Sequence, residues 1–326
     1  MHRTLFRLLT AAALILPAAA FAASPAAWPN ERPVRLVVPA SAGGSLDTLA
    51  RPLAQAMSEL SGGRFIIENL GGAAGMIGAN NVVQADPDGY TFLLGAIHHA
   101  ILPIAYPKIP YNSATDLTPV GLIATVPNVV LVRQDSPNQS IADLIKAGKE
   151  SADGLNYGTG GKGGLHHLTT EHFAKLTGAK MQAIHYRGSA PAITDLLGGQ
   201  IDVMFETMPQ ALGQIRSKAL RALAVTSSKR SPALPDTPTL IEAGVPDLAV
   251  TTWYGIFAPA NLPPEIDQRM QDLITKALAT DKIRELWKGY GASVEGPGAE
   301  NFKTFWTDEL KHWSDVSQQI GFKPAE

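Results

Sequence analysis

Residues Arg35–Leu53, RLVVPASAGGSLDTLARPL, place a strand, a glycine loop and a helix start in direct succession. Val37 and Val38 belong to a short β-rich apolar run, Gly43 and Gly44 allow a turn with positive φ, and Ser45 stands where a helix N-cap is expected. Leu46, Leu49, Ala50, Leu53, Met57 and Leu60 then recur at helical spacing, which puts Asp47 in the first turn. Such a join leaves unpaired N–H groups and the positive end of a helix dipole facing one point, a site for an anion.

The same grammar returns at Gly158–Gly164 in NYGTGGKGGLHHL, and at Gly188-Ser189 in HYRGSAPAITDLL. Several helix N-termini aimed at one cleft, with little catalytic chemistry among them, point to a protein that holds a small carboxylate. Candidate contacts in the first loop are Ser41, Gly43, Gly44, Ser45 and Asp47. The second loop offers Thr159, Gly160, Gly161, Lys162 and Gly163, and the third Gly188, Ser189 and Ala190. Ala96 and His98 follow a strand end, and Glu206 stands near another loop end. Ser45 and Ser189 read as N-caps that also donate to a ligand oxygen. Asp47 and Glu206 read equally as complements to a helix N-terminus or as ligand contacts. Lys162 is either a solvated lysine or a cation for the ligand.

Strands and helices alternate from Pro33 onward, the pattern of βαβ units around parallel sheets. A long proline-containing loop is expected over Ala96–Pro119, and a fresh set of alternations from NVVLVRQD beyond Pro127. With a crossover near Ala124–Pro127 and a return near Thr252–Ala258, the chain divides into a discontinuous first lobe, 28–124 and 253–326, and a second lobe, 125–252. Two crossings make a hinge rather than a free linker. Phe302, Phe305, Trp306, Leu310, Trp313 and Ile320 form an apolar helical stripe, read as core.

The start, MHRTLFRLLTAAALILPAAAFAAS, reads as a secretory signal peptide, residues 1–22, cleaved near Ala22. With no cysteine there is neither a disulfide framework nor a thiol ligand, which suits a Gram-negative periplasm. The 27 basic and 29 acidic residues form no basic stripe, so nucleic acid is not an expected partner.

Gly158-Thr159-Gly160-Gly161-Lys162-Gly163 fits the dinucleotide fingerprint, but Ile184-His185-Tyr186-Arg187 stands where its acidic residue belongs. Nor is it a P-loop, because Gly163 follows Lys162 where Ser or Thr would hold magnesium. The histidines lack the helical i, i+4 pairing of a zinc site, so neither a cofactor nor a metal is expected. Neither Ser45 nor Ser189 completes a nucleophile elbow. The competing reading is a secreted hydrolase using His185 or His167 on a small carboxylate-containing substrate.

Pro39–Asp47, then Asp88-Gly89-Tyr90 before Leu93-Leu94-Gly95, then Tyr157–Gly161, resemble the Bug family of solute-binding proteins. Tyr186–Ala192, Asp195–Asp202 and Phe257–Ala260 match that pattern too, so the resemblance covers nearly the whole chain after the leader. It implies a type II periplasmic binding protein fold: two α/β lobes that close on an organic acid in a central cleft. It also implies a monomer, not an enzyme, that presents the acid to the permease subunits of a tripartite tricarboxylate transporter. In the family, the loops matching Ser41–Asp47 and Thr159–Gly163 grip a carboxylate through backbone N–H groups and ordered water, and the loop matching Gly188–Ala190 contributes from the other lobe. This chain departs from the usual pattern at Gly161-Lys162-Gly163-Gly164 and at His98-His99.

Overall fold

The computed structural model describes residues 28–294 and 299–324, so the signal peptide expected over residues 1–22 and its cleavage near Ala22 lie outside the described residues. Two sheets share one long strand. In the first, β1 (Val34–Val38) pairs in parallel with β2 (Phe65–Asn69) and β3 (Thr91–Ala96), and β3 pairs antiparallel with β9 (Thr251–Pro259). In the second, β5 (Leu155–Thr159) pairs in parallel with β6 (Met181–His185) and β7 (Val203–Thr207). Their run of apolar, β-branched residues, buried in β1 and β3, is what a strand covered by helices on both faces requires.

The strand β4 (Leu117–Arg133) belongs to both sheets. From Leu117 to Pro127 it lies antiparallel to β9, and from Asn128 onward it pairs with β7 and with β8 (Leu220–Val225). The expected fresh start beyond Pro127 is therefore a change of partner inside one 17-residue strand. A proline has no N–H to donate to a ladder, so Pro127 suits the place where one set of neighbours gives way to the next.

A second correction concerns Ala96–Pro119. Its first part is not a loop: His98–Ala105 forms helix α3 with Pro103 inside it. Ala100, Ile101, Leu102 and Ala105 are buried, and this burial outweighs the disruptive proline.

The C-terminal stripe is core, but it does not pack on the first sheet alone. Helix α10 (Ala299–Gln319) lies along β4 and also touches α3 and α5 (Leu165–Thr177). Trp306 meets Trp253 and Phe257 of β9 at ring-centroid distances of 5.8 and 5.0 Å. Glu309 accepts the indole N–H groups of Trp253 and Trp313 at 2.7 and 3.1 Å, which answers two buried donors with one carboxylate.

Candidate functional site

The loops leaving the C-terminal ends of the parallel strands in both sheets face one another, the usual place for a ligand in open α/β folds. A cleft of about 450 Å³ lies there. One wall is Thr159–His166 with Arg187 and Gly188; the other is Ala74 with His98, Ile101, Leu102 and Tyr106.

The two main glycine loops have the same backbone. Gly43 and Gly163 have φ of +82° and +74°, and Gly44 and Gly164 are extended N-caps with ψ of 171° and 170°. The N–H groups of Gly44 and Gly164 reach back to the carbonyls of Ser41 and Gly161, each at 3.4 Å. Helix α1 (Ser45–Ser61) thus starts at Ser45, and helix α6 (Ser189–Leu197) at Ser189, each one residue after its cap. That corrects the reading of Ser45 and Ser189 as N-caps: the glycines before them take the cap position, and neither helix has a side-chain cap bond. Only glycine adopts such positive φ without strain, so Gly43 and Gly163 fix where the chain turns.

The loops differ in how they are pinned. Gly43 N–H donates to Asp47 Oδ2 at 2.8 Å, and Asp47 also accepts from Arg51 and from Asn69. Burial alone would raise this carboxyl, but the bonds from Arg51, Gly43 and Asn69 hold it below the usual carboxylate range. With those donors around it and 2% exposure, Asp47 holds the loop and offers no free face to a ligand. In the second loop Gly163 N–H donates to Nδ1 of His167 at 2.9 Å. Burial pushes the imidazole down to about 4, helped by the nearby His185 and Lys162, so it is neutral and can accept. That bond engages the neutral ring's one basic lone pair and puts its proton on Nε2, which weakens the hydrolase reading at His167.

Gly188 N–H bonds to the carbonyl of Gly160 at 3.1 Å, and Tyr186 N–H to that of Thr159 at 2.9 Å, which bring the third loop against the second. Across the cleft, burial brings His98 down to about 4, so its ring is a neutral part of the wall. Its ring lies tilted by 40° against that of His99, centroids 4.0 Å apart, and His99 is buried with no hydrogen-bond partner for either ring nitrogen among the described residues.

Of the candidates, Thr159, Gly160, Gly161, Lys162, Gly163, Gly188 and His98 meet at the cleft. Ser41, Gly43, Gly44, Ser45, Asp47, Ala96, Ser189, Ala190 and Glu206 do not line it. Ser45 instead accepts from Gln210 at 2.9 Å, on helix α7 (Met208–Arg216), and so joins the first sheet's helices to the second's. Glu206 is buried on β7, where Oε1 accepts the N–H and hydroxyl of Thr207. It stands 3.9 Å from Nδ1 of His166, whose Nε2 lies 3.2 Å from Asn128 Oδ1. The residues missed by sequence reasoning are Ala74, Ile101, Leu102, Tyr106, Leu165, His166 and Arg187. The signal for two of them was present: Leu102 and Tyr106 stand four apart, as on one helical face, obscured by prolines.

A model of the family described as tripartite tricarboxylate transporter family receptor matches residues 49–322. The UPF0065 protein in the tcbD-tcbE intergenic region of Pseudomonas sp. strain P51 is 35% identical over 291 residues, 89% of this chain and 86% of that protein. Among solved structures, R. palustris Rpa4515 with adipate is 36% identical and superimposes with a TM-score of 0.84, covering 91% of this chain and 100% of that one. The periplasmic binding protein BugD is 35% identical with a TM-score of 0.80, covering 90% and 99%.

Proposed function

This chain belongs to the tripartite tricarboxylate transporter receptor family, and on that premise we propose that it captures a small organic acid between two lobes and hands it to membrane permease subunits. One observation carries the reading. The residues that cap α5 and α6, Gly164 and Gly188, line a cleft together with Lys162 and Arg187, and no Asp or Glu lines it among the described residues. In a chain of net charge −2, that is a local surplus of positive potential, suited to an anion. Among the described residues no helix is long and apolar enough to cross a membrane. We place the protein in the periplasm as a monomer, exported by a leader cut near Ala22.

The moving parts are residues 28–124 with 253–326 on one side and 125–252 on the other, hinged where β4 changes partners and β9 begins. Thr159–Gly163 and Gly188 supply the carboxylate contacts, and His98 faces them from the opposite wall. The loop Ser41–Ser45 joins on closure, with Ser189 and Ala190 behind it. Asp47 and Glu206 act through the backbone they hold.

A thermal-shift series with adipate, succinate, malate and citrate tests the reading. An acid held at 100 times its dissociation constant adds roughly 2.7 kcal/mol of stability. A protein that none of these acids stabilises would not be a carboxylate receptor of this kind.

A further inference from the structure

His166 faces two ways. It lines the cleft from the first turn of α5, with a side chain 14% exposed. Its Nε2 lies 3.2 Å from Oδ1 of Asn128, an amide oxygen that can only accept, so the ring donates there. Asn128 is where β4 leaves β9 and takes up β7. The same oxygen accepts the hydroxyl of Thr252, on the return strand β9, at 2.9 Å. The backbone of Asn128 joins in: its N–H donates to Thr226 Oγ1 at 3.1 Å, and its carbonyl accepts the N–H of Thr226 at 2.9 Å. The carbonyl of Thr226 in turn accepts the N–H of Val250 at 2.8 Å. A cleft residue and both crossings between the lobes thus meet on one buried asparagine.

This set is not fully paired. Nδ2 of Asn128 and Oε2 of Glu206 are buried with no hydrogen-bond partner among the described residues. Glu206 Oε1 stands 3.9 Å from Nδ1 of His166, beyond a hydrogen bond. Spare donors and acceptors on either side of one imidazole are costly, and they suit an arrangement that exchanges partners when the strands rotate.

Resting on the receptor reading above, we propose that His166 is a positioning residue for ligand capture, which couples an occupied cleft to the hinge through Asn128 and Thr252. A ligand against the first turn of α5 fixes the imidazole on Asn128. Asn128 then holds both crossings in the arrangement in which Gln210 of the second lobe reaches Ser45 of the first. An empty cleft leaves the ring free to turn toward Glu206.

Distances between spin labels on the full exported chain test this. The chain has no cysteine, so labels attach only at Ile77→Cys on helix α2 (Met76–Val83) and Leu176→Cys on α5, both exposed positions. Thr252→Val removes one hydroxyl that does not line the cleft. It should lengthen the ligand-free distance by more than about 2 Å and weaken adipate at least about threefold by calorimetry. His166→Phe should do the same, whereas His166→Gln, which keeps a donor, should return the distance to that of wild type. If His166→Phe does not fold, Thr252→Val and His166→Gln carry the test. A Thr252→Val distance equal to that of wild type would overturn the coupling and leave His166 a residue of the wall. A longer distance with unchanged adipate affinity would overturn it too, because the hinge would then move independently of the cleft. Failure of adipate, succinate, malate and citrate to bind any form would overturn the carboxylate reading alone, and the ligand-free distances would still decide the coupling.

Discussion

The first glycine loop, Ser41–Asp47, and the second, Gly161–His167, share a backbone to within a few degrees and differ in the group that locks them. A carboxylate locks the first, itself held by a guanidinium and an amide; a neutral imidazole locks the second. The carboxylate sits in the first turn of α1 and offsets the positive end of that helix, whereas α5 has no acid in its first turn. The second loop therefore keeps its full attraction for an anion, and it is the loop that lines the cleft. Identical backbones need not be equally receptive; the lock decides.

The largest test of this comparison is to remove each lock. Asp47→Ala deletes charge-assisted bonds from three partners and should cost about 4 kcal/mol of unfolding free energy by urea titration. His167→Ala deletes one neutral bond and some ring packing and should cost about 2 kcal/mol. Equal costs would break the distinction.

Acid separates the locks next. The folded protein binds fewer protons at His167 than the unfolded chain does between the ordinary 6.5 and about 4, so its stability is complete above 6.5 and falls as pH drops toward 4. The loss at this site is on the order of 3 kcal/mol. Asp47 is depressed in the same sense but in a lower window: its contribution is complete above 3.8 and is lost only below that. Hydrogen exchange at pH 4.5 should show Gly163 opening while Gly43 stays protected. His167→Gln should shrink the slope of stability between pH 4 and 6.5, and an unchanged slope would refute the assignment.

A smaller effect distinguishes the surroundings. A Cβ at Gly43 meets nothing within 4 Å, whereas one at Gly163 would lie 2.8 Å from Ala105 on α3. Both alanines suffer the positive φ, about 1 kcal/mol at Gly43. Gly163→Ala adds an overpacked contact between opposite walls and should cost about 2 kcal/mol by thermal unfolding. It should also weaken adipate binding, which Gly43→Ala should leave within a factor of two.

The alternation of strands and helices, the glycine loops and the return strand were legible because each has a local pattern: period-two or unbroken apolar runs, paired glycines, helical stripes. Helix α3 was not, since Pro103, Pro107 and Pro110 carry a strong loop signal, and only tertiary burial of Ile101 and Leu102 overrides it. The continuity of β4 was hidden by Pro127 in the same way. Within the site, sequence found the residues that bend the backbone but only His98 of the wall facing them, because Leu102 and Tyr106 look like any core residues until the other sheet is in place. Asp47 and Glu206 were ambiguous because an acid near a loop end has the same spelling whether it meets a ligand or a backbone N–H.

The position of β9 has a consequence for how this chain assembles. In the order β2-β1-β3-β9-β4 it lies between β3 and β4, yet it is made after every strand of the second sheet. As the chain emerges from its N-terminus, β3 has an open inner edge that stays unpaired while β5 through β8 appear and pair with one another and with β4. Distant pairing of this kind is slow, and an exposed edge in waiting invites misassociation. Order of emergence and order of completion thus run in opposite directions: the sheet that begins the chain is the last to be sealed.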